Sequence, residues 1–137
     1  MIDAVKNIFN KVYSIELDKT LYENAVNRFK RYNHIKIING DSGETLFQIL
    51  KDVKKPCLFW LDGHYSGETT AKGEFNTPIF KELTTIINHA VKNHIILIDD
   101  ARCFVGKDDY PTIEELKFFI KNKNLNLIVK NDIIIIC

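Results

Sequence analysis

Paired cysteines are missing from this sequence. Cys57, Cys103 and Cys137 are odd in number, far apart and without the spacing of a zinc site, which excludes a disulfide framework and fits a reducing cytoplasm. Charge of one sign is missing as well. Lys and Arg total 19 against 18 Asp and Glu, and neither a basic stripe nor an acidic tail stands out, so electrostatics imply no nucleic-acid partner. Long apolar runs are also lacking: the longest, Ile133 to Cys137, falls far short of the roughly 20 residues that span a bilayer. The start, Met1-Ile-Asp-Ala-Val-Lys6, has no apolar stretch of the kind a signal peptide carries. The expectation is a soluble, unprocessed, cytoplasmic protein without a membrane partner. Its 137 residues have the length of one domain, 1–137, and a hydrophobic fraction of 45% is enough for one core. No internal repeat, linker or low-complexity segment interrupts it.

What is present alternates short β-rich runs with segments of helical period, the pattern of βαβ units in a mostly parallel sheet. Val12 to Leu17 reads as the first strand. Asp18 can cap the next segment, where Leu21, Tyr22, Ala25, Val26 and Phe29 make one apolar helical face. Ile35 to Ile38 is a second, short strand. Asp41 followed by Glu44 has the form of a capping box, opening a helix whose buried face is Leu46, Phe47, Ile49, Leu50 and Val53. The third strand, Cys57 to Leu61, is apolar throughout, as expected of a central strand covered on both faces. Tyr65 to Asn76 is polar, glycine-punctuated and without period, long enough for a functional loop. Thr77-Pro78 places proline at the first position of a helix with Ile79, Phe80, Leu83, Ile86, Ile87 and Ala90 on its face. His94 to Ile98 is a fourth, apolar strand. Thr112 to Glu115 is a second capping-box pattern, ahead of Leu116, Phe119 and Ile120. Leu125 to Val129 and Ile133 to Ile136, joined by Lys130-Asn131-Asp132, read as a closing antiparallel hairpin.

Acids stand at the carboxyl ends of all four of the early strands: Glu16, Asp41, Asp62, and Asp99 with Asp100. Open parallel sheets bind ligands in the crevice beyond those ends, which makes the repetition the strongest signal in the chain. Glu16 is well placed to accept hydrogen bonds from both hydroxyls of a ribose. Asp41 has capping as an equal alternative. Asp62, Asp99 and Asp100 at one edge of the crevice would repel one another unless a hard cation such as magnesium, calcium or manganese joined them; the bland alternative is that one of the last two caps a turn and the other pairs with Arg102 or a lysine. His64 has three readings: a fourth ligand, a general base for a hydroxyl substrate, or a loop histidine without a special role. Tyr65, Ser66, Thr69, Thr70 and Lys72 are acceptor contacts or solvated loop residues. Gly67, Gly73 and Gly106 serve turns. His34, His89 and His94 read as structural or surface groups, and Trp60 with the phenylalanines as core.

Taken together, Val12-Tyr-Ser-Ile-Glu-Leu-Asp18, Asn39-Gly-Asp-Ser42, Leu61-Asp-Gly-His-Tyr-Ser66 and Ile98-Asp-Asp-Ala-Arg102 resemble the class I S-adenosylmethionine-dependent methyltransferases along essentially the whole chain. The resemblance implies an α/β, Rossmann-like, mostly parallel sheet with helices on both faces and a C-terminal antiparallel hairpin. It also implies S-adenosylmethionine as cofactor, with Glu16 on its ribose and Asp41 and Ser42 beside its adenine. The segments at Leu61 to Ser66 and Ile98 to Asp100 look most like metal-dependent small-molecule O-methyltransferases of the macrocin and cephalosporin-tailoring type. That likeness puts a divalent ion, Mg2+ or another, on Asp62, Asp99 and Asp100, and gives Asp62 and His64 the catalytic positions facing a small-molecule acceptor.

One motif of that family is not found. Its first strand and Gly-x-Gly loop should precede Val12, but only Met1 to Lys11 stand there, without a glycine, and Ile2, Val5, Ile8 and Phe9 look like the helix after that loop. The fold is therefore expected to lack its usual first strand, as an N-terminally truncated form or as a rearranged fold in which the family's second and fourth strands, here Val12 to Leu17 and Cys57 to Leu61, meet or recruit a partner strand. Exposed sheet strands make a homo-oligomer an expected partner. Methyl transfer to a small oxygen nucleophile, with or without metal assistance and impaired in this chain, is the first reading. Its rivals are a catalytically inactive remnant or oligomerising module of the same fold, and a magnesium-dependent phosphoryl-transfer or receiver-like domain. The last lacks a phosphate-cradling loop and leaves Glu16 unexplained.

Overall fold

The computed structural model describes residues 1–62 and 77–137. His64 and the loop candidates Tyr65, Ser66, Gly67, Thr69, Thr70, Lys72 and Gly73 lie outside the described residues.

The elements run α1 (Ile2–Val5), β1 (Val12–Glu16), α2 (Lys19–Phe29), β2 (Ile35–Asn39), α3 (Ser42–Leu50), β3 (Leu58–Leu61), α4 (Ile79–Ile87), β4 (Ile95–Ile98), a 3-10 turn (Ala101–Cys103), α5 (Ile113–Ile120), β5 (Leu127–Lys130) and β6 (Ile133–Ile136). This is the alternating α/β pattern that the periodicity predicts. The caps are local chemistry. Asp18 accepts from the Leu21 amide at 2.8 Å, and Thr112 with Glu115 forms a full capping box, each side chain bonded to the other's backbone amide. Replacing Thr112 with alanine is expected to cost about 1 kcal/mol in urea unfolding, the usual worth of such a cap. The box expected at Asp41 and Glu44 is only half formed. Asp41 accepts from the Gly43 amide at 2.7 Å, but Glu44 turns to Lys81 of α4 at 2.9 Å. Pro78 is the N-cap of α4 and not its first helical residue. The expected N-terminal helix closes after four residues, leaving Ile8 72% exposed.

The strands form two sheets. β1 and β2 pair in parallel by themselves, Val12 opposite Ile35 through Glu16 opposite Asn39. The other sheet has the order β3-β4-β6-β5, with β3 and β4 parallel and β6 antiparallel to both neighbours. Among the described strands, β1 and β3 therefore do not meet, which corrects one of the two arrangements expected for a sheet without its first strand. The terminal hairpin forms as predicted. Asn131 and Asp132 both take positive φ, 52° and 63°, the backbone that a two-residue hairpin loop needs to match strand twist.

One core serves the larger sheet. Leu61, Ile96, Ile98, Ile134 and Ile136 face Leu46 and Leu50 of α3, Ile79, Leu83 and Ile86 of α4, and Leu116 and Ile120 of α5. Burial alternates along the strands with period two, so the opposite face is more open: Leu58 is 40% exposed and Ile95, its partner across the sheet, 47%. That face is open at the start of β3 and β4, whereas Trp60 and Leu97, partners farther along it, are half-buried. Several expected core aromatics are also outside. Phe47 lies under the Lys51 ammonium, Phe80 packs on Phe119 at the surface, and Phe118 is exposed. On α2 only Phe29 is buried, while Leu21 and Val26 are exposed.

The three described histidines that read as structural do bond within the fold. His34 Nε2 meets the Lys6 carbonyl at 2.7 Å. His94 is buried, its Nδ1 accepts from the Cys57 amide at 3.0 Å, and its Nε2 lies 3.0 Å from Nδ1 of His89. With Nδ1 accepting, the neutral ring carries its proton on Nε2 and donates to His89. Burial and the neighbouring His89 hold the His94 pKa below its ordinary value.

Candidate functional site

Two pairs of strand ends carry the acids, and sheet register sets each pair. Glu16 and Asn39 are opposite one another at the last rung of β1 and β2. Asn39 then clamps the end of β1, donating from Nδ2 to the carbonyls of Glu16 at 2.8 Å and Leu17 at 3.2 Å. The Gly40 amide adds a third bond to the Glu16 carbonyl at 3.1 Å. Gly40 has a φ of 155°, and a Cβ there would come within 2.6 Å of Thr45 Oγ1, so the close turn from β2 into α3 requires glycine. This tight turn brings Asp41 and Ser42 next to the end of β1. The Glu16 side chain is half-buried and accepts one bond, from Ser14 Oγ at 3.1 Å to Oε1.

In the larger sheet Leu61 and Ile98 are partners, so Asp62 and Asp99 leave adjacent strands at the same height, with the Asp99 amide bonded to the Leu61 carbonyl at 3.0 Å. Both acids border a narrow cleft that also takes in Thr77, Glu82, Phe104 and Tyr110. Tyr110 stacks edge-on against Phe104, their ring centres 5.3 Å apart. Burial first, then the negative potential of Cys103, Asp100 and Asp62, pushes the Tyr110 hydroxyl up to about 12, so it stays protonated and able to donate a hydrogen bond.

Asp100 does not line this cleft. It sits in the left-handed region, φ 56°, where its backbone amide donates to Asp99 Oδ1 at 2.9 Å. Its carboxylate pairs with Arg102 at 2.5 Å, and Arg102 bonds Asp132 of the hairpin turn through both its guanidinium and its backbone amide. The acids after β4 thus follow the turn-and-arginine alternative. Among the described residues no three His, Cys, Asp or Glu side chains converge in a way that could hold a metal ion. A divalent ion does not fit the Asp62, Asp99 and Asp100 set as described, and no chemical step is assigned to one.

The residue that the sequence reading missed is Glu82. It is 3% exposed, the one buried carboxylate among the described residues, and it lies in the first turn of α4. Burial pushes its pKa up to about 7; the nearby Ser42 hydroxyl pulls the other way, and Asp41 pushes further up. A signal for it was available. Ile79, Leu83 and Ile86 define the inward stripe of α4, and position 82, three after 79 and four before 86, belongs to that stripe.

No family model and no curated protein matches the sequence. Solved structures do match the fold. A candidate rRNA methylase from Clostridium thermocellum superposes with a TM-score of 0.57 at 14% identity, covering 93% of this chain and 73% of that one. An SAH-bound methyltransferase from Podospora anserina gives 0.60 at 15% identity, over 92% of this chain and 59% of its own. A candidate caffeoyl-CoA O-methyltransferase from Staphylococcus aureus gives 0.58 at 16%, over 92% and 63%. The chain therefore shares the Rossmann-like α/β fold of these three structures, and it spans about three fifths of the length of the last two. At these identities the likeness carries the fold alone.

Proposed function

We propose that this protein is built for S-adenosylmethionine-dependent methyl transfer to a small oxygen nucleophile, with the adenosine half of the cofactor at Glu16, Asp41 and Ser42 and the acceptor at the cleft of Asp62 and Asp99. The observation that carries the reading is the register of β1 with β2, which places a half-buried acid and a glycine-tight acidic turn side by side at the carboxyl end of a parallel sheet. The bound cofactor supplies an electrophilic methyl group on a sulfonium centre. The chain's own residues bind and orient. Glu16 retains acceptor capacity beyond its Ser14 bond, enough for a ribose diol, while Asp62 or His64 takes the proton of the acceptor hydroxyl, and Tyr110 lines the cleft beside Asp62. The SAH-bound neighbour supports the cofactor class, and the acceptor assignment rests on the acidic cleft.

The residues assigned to the cofactor, Glu16, Asp41 and Ser42, all serve its adenosine half in this reading. S-adenosylhomocysteine binding is therefore expected to be weak, and methyl transfer by this chain impaired. In a calorimetric or NMR titration, Glu16→Ala should weaken that binding by about tenfold, the loss of roughly one charge-assisted hydrogen bond. Unchanged affinity would return Glu16 to a structural role. The second reading, an oligomerising module of the same fold, is favoured by one observation, the exposed Leu58 and Ile95 on adjacent strands.

A further inference from the structure

We propose that the edge of the protein opposite the acidic strand ends is a docking surface for the phosphodiester backbone of a nucleic acid.

The parallel strands define two opposite edges. Turns from a strand into a helix fall at the carboxyl end of the sheet, and connections from a helix back to a strand fall at the amino end. α3 makes these ends common to both sheets, since it starts beside the end of β2, packs on β1 and finishes just ahead of β3. The carboxyl end collects acids: Asp18, Asp41, Asp62, Asp99 and Asp100. The amino end collects cations. Lys11 stands before β1, Lys30 and Arg31 between α2 and β2, and Lys51, Lys54 and Lys55 between α3 and β3. Lys92 precedes β4, and Lys121 with Lys123 precedes β5, which runs parallel to β4 because both are antiparallel to β6. All of these side chains are exposed, and Asp52 is the one acidic side chain in the same connections.

Backbone bonds draw the connections together. The Val12 amide donates to the His34 carbonyl at 2.9 Å, and His34 Nε2 meets the Lys6 carbonyl at 2.7 Å, so the approaches to β1 and β2 lie side by side. The Ile95 amide donates to the Cys57 carbonyl at 3.0 Å, which does the same for β3 and β4. Helix dipoles account for part of the pattern: Lys30, Lys51 and Lys121 are C-caps, where a cation meets the negative end of its helix. They leave Lys11, Arg31, Lys54, Lys55 and Lys123 unexplained. Among the described residues no carboxylate pairs with any cation of this edge. Lys51, Lys54 and Lys92 bond to neutral oxygens, of Gln48, Lys51 and Ile87, so their charge is not cancelled.

An edge of uncancelled cations attracts an anionic polymer. The connections after α2, α3, α4 and α5 expose no large apolar side chain, and a surface that binds lipid inserts such residues, so the edge suits a nucleic acid better than a membrane. The strand would anchor the protein and not serve as methyl acceptor, because the cleft of Asp62 and Asp99 lies at the other end of the strands. Dispersed along the sequence, these cations form no stripe; the alternation of strands and helices gathers them.

The test is fluorescence anisotropy of labelled oligouridylate and oligothymidylate strands of about 20 nucleotides with the full chain, between roughly 50 and 200 mM salt. With a formal charge of +1 the chain as a whole pulls weakly on a polyanion, so binding reports on the edge. Both strands should bind with about micromolar affinity at the lowest salt, and the log–log salt slope should be about −3, as for roughly four phosphates neutralised on a single strand. Lys54→Glu with Lys55→Glu should weaken binding at least about tenfold and flatten the slope by about 1.4, and Lys30→Glu with Arg31→Glu should do the same from the other sheet. The four positions are exposed, thermal unfolding checks each variant, and either pair suffices if the other fails to fold. Lys107→Glu, an exposed change between β4 and α5 at the carboxyl end, should bind within about twofold of the wild type. No binding at the lowest salt, an equal loss in Lys107→Glu, or binding to phosphatidylserine vesicles in place of the strands would overturn the proposal. So would affinity confined to one of the two sugars, because charge alone does not read the 2′-hydroxyl.

Discussion

Glu82→Gln is expected to stabilise the protein by roughly 3 kcal/mol at pH 8 relative to its effect at pH 4, as read from urea unfolding across that range. The sign follows from the direction of the shift. Burial raises the Glu82 pKa from 4.5 to about 7, so between those values the folded state binds the proton more tightly than the unfolded one. Stability from this group is fully present below 4.5 and is lost as pH rises through about 7. At about 1.4 kcal/mol per pH unit, the interval is worth roughly 3 kcal/mol once Glu82 is ionised. Glutamine has the same shape, cannot ionise and escapes the penalty. His94 acts in the opposite direction: its lowered pKa gives stability that is present above its ordinary 6.5 and lost on acidification. That contribution is common to both proteins and cancels in the comparison. Parallel pH profiles for wild type and variant would show that Glu82 pays no burial cost.

Why so much of the fold was legible from sequence, and the site less so, comes down to what each signal measures. Period and caps are local, and they found every described strand and α-helix from Val12 onward, including the Thr112 to Glu115 box and the hairpin turn at Asn131 and Asp132. Hydrophobicity reports only that a side chain prefers burial. It could not say that β3 would bury Leu61 and leave Leu58 open, or that Phe47 would lie under Lys51. Strand-end acids were equally visible, and register does pair Glu16 with the Asp41 turn and Asp62 with Asp99. What decides whether Asp100 joins them is the left-handed backbone at that residue and the reach of Arg102 to Asp132, thirty positions away. Glu82 escaped for the converse reason. An acid in a helix usually faces water, and only the packing of α4 against α3 turns this one inward.

The open strands of the larger sheet lead to the second large effect. β3 has β4 as a partner on one side only, and β1 has only β2, so each presents a row of backbone donors and acceptors along its other edge among the described strands. Beside the β3 edge lies an apolar face: Leu58 and Ile95 are partners across the sheet at 40% and 47% exposure, and Ile128, farther along it, is 56% exposed. An edge alone invites pairing. An edge flanked by exposed aliphatic side chains adds the burial that makes pairing favourable, at about 25 cal/mol per Å² removed from water. The protein is therefore expected to self-associate, with sedimentation velocity showing species above 15.9 kDa that grow with concentration. Leu58→Lys combined with Ile95→Lys should return it to a monomer. The two ammonium groups would face each other across the strands at a modest cost to the sheet, and the penalty for desolvating them under an incoming apolar surface should weaken association by on the order of a hundredfold. Phe118→Lys is the control for unspecific stickiness. Phe118 is 78% exposed on α5, away from the open strands, and its replacement should leave association unchanged. A wild-type chain that sediments as a monomer at every concentration, or association abolished by Phe118→Lys and untouched by the strand lysines, would place the interface elsewhere.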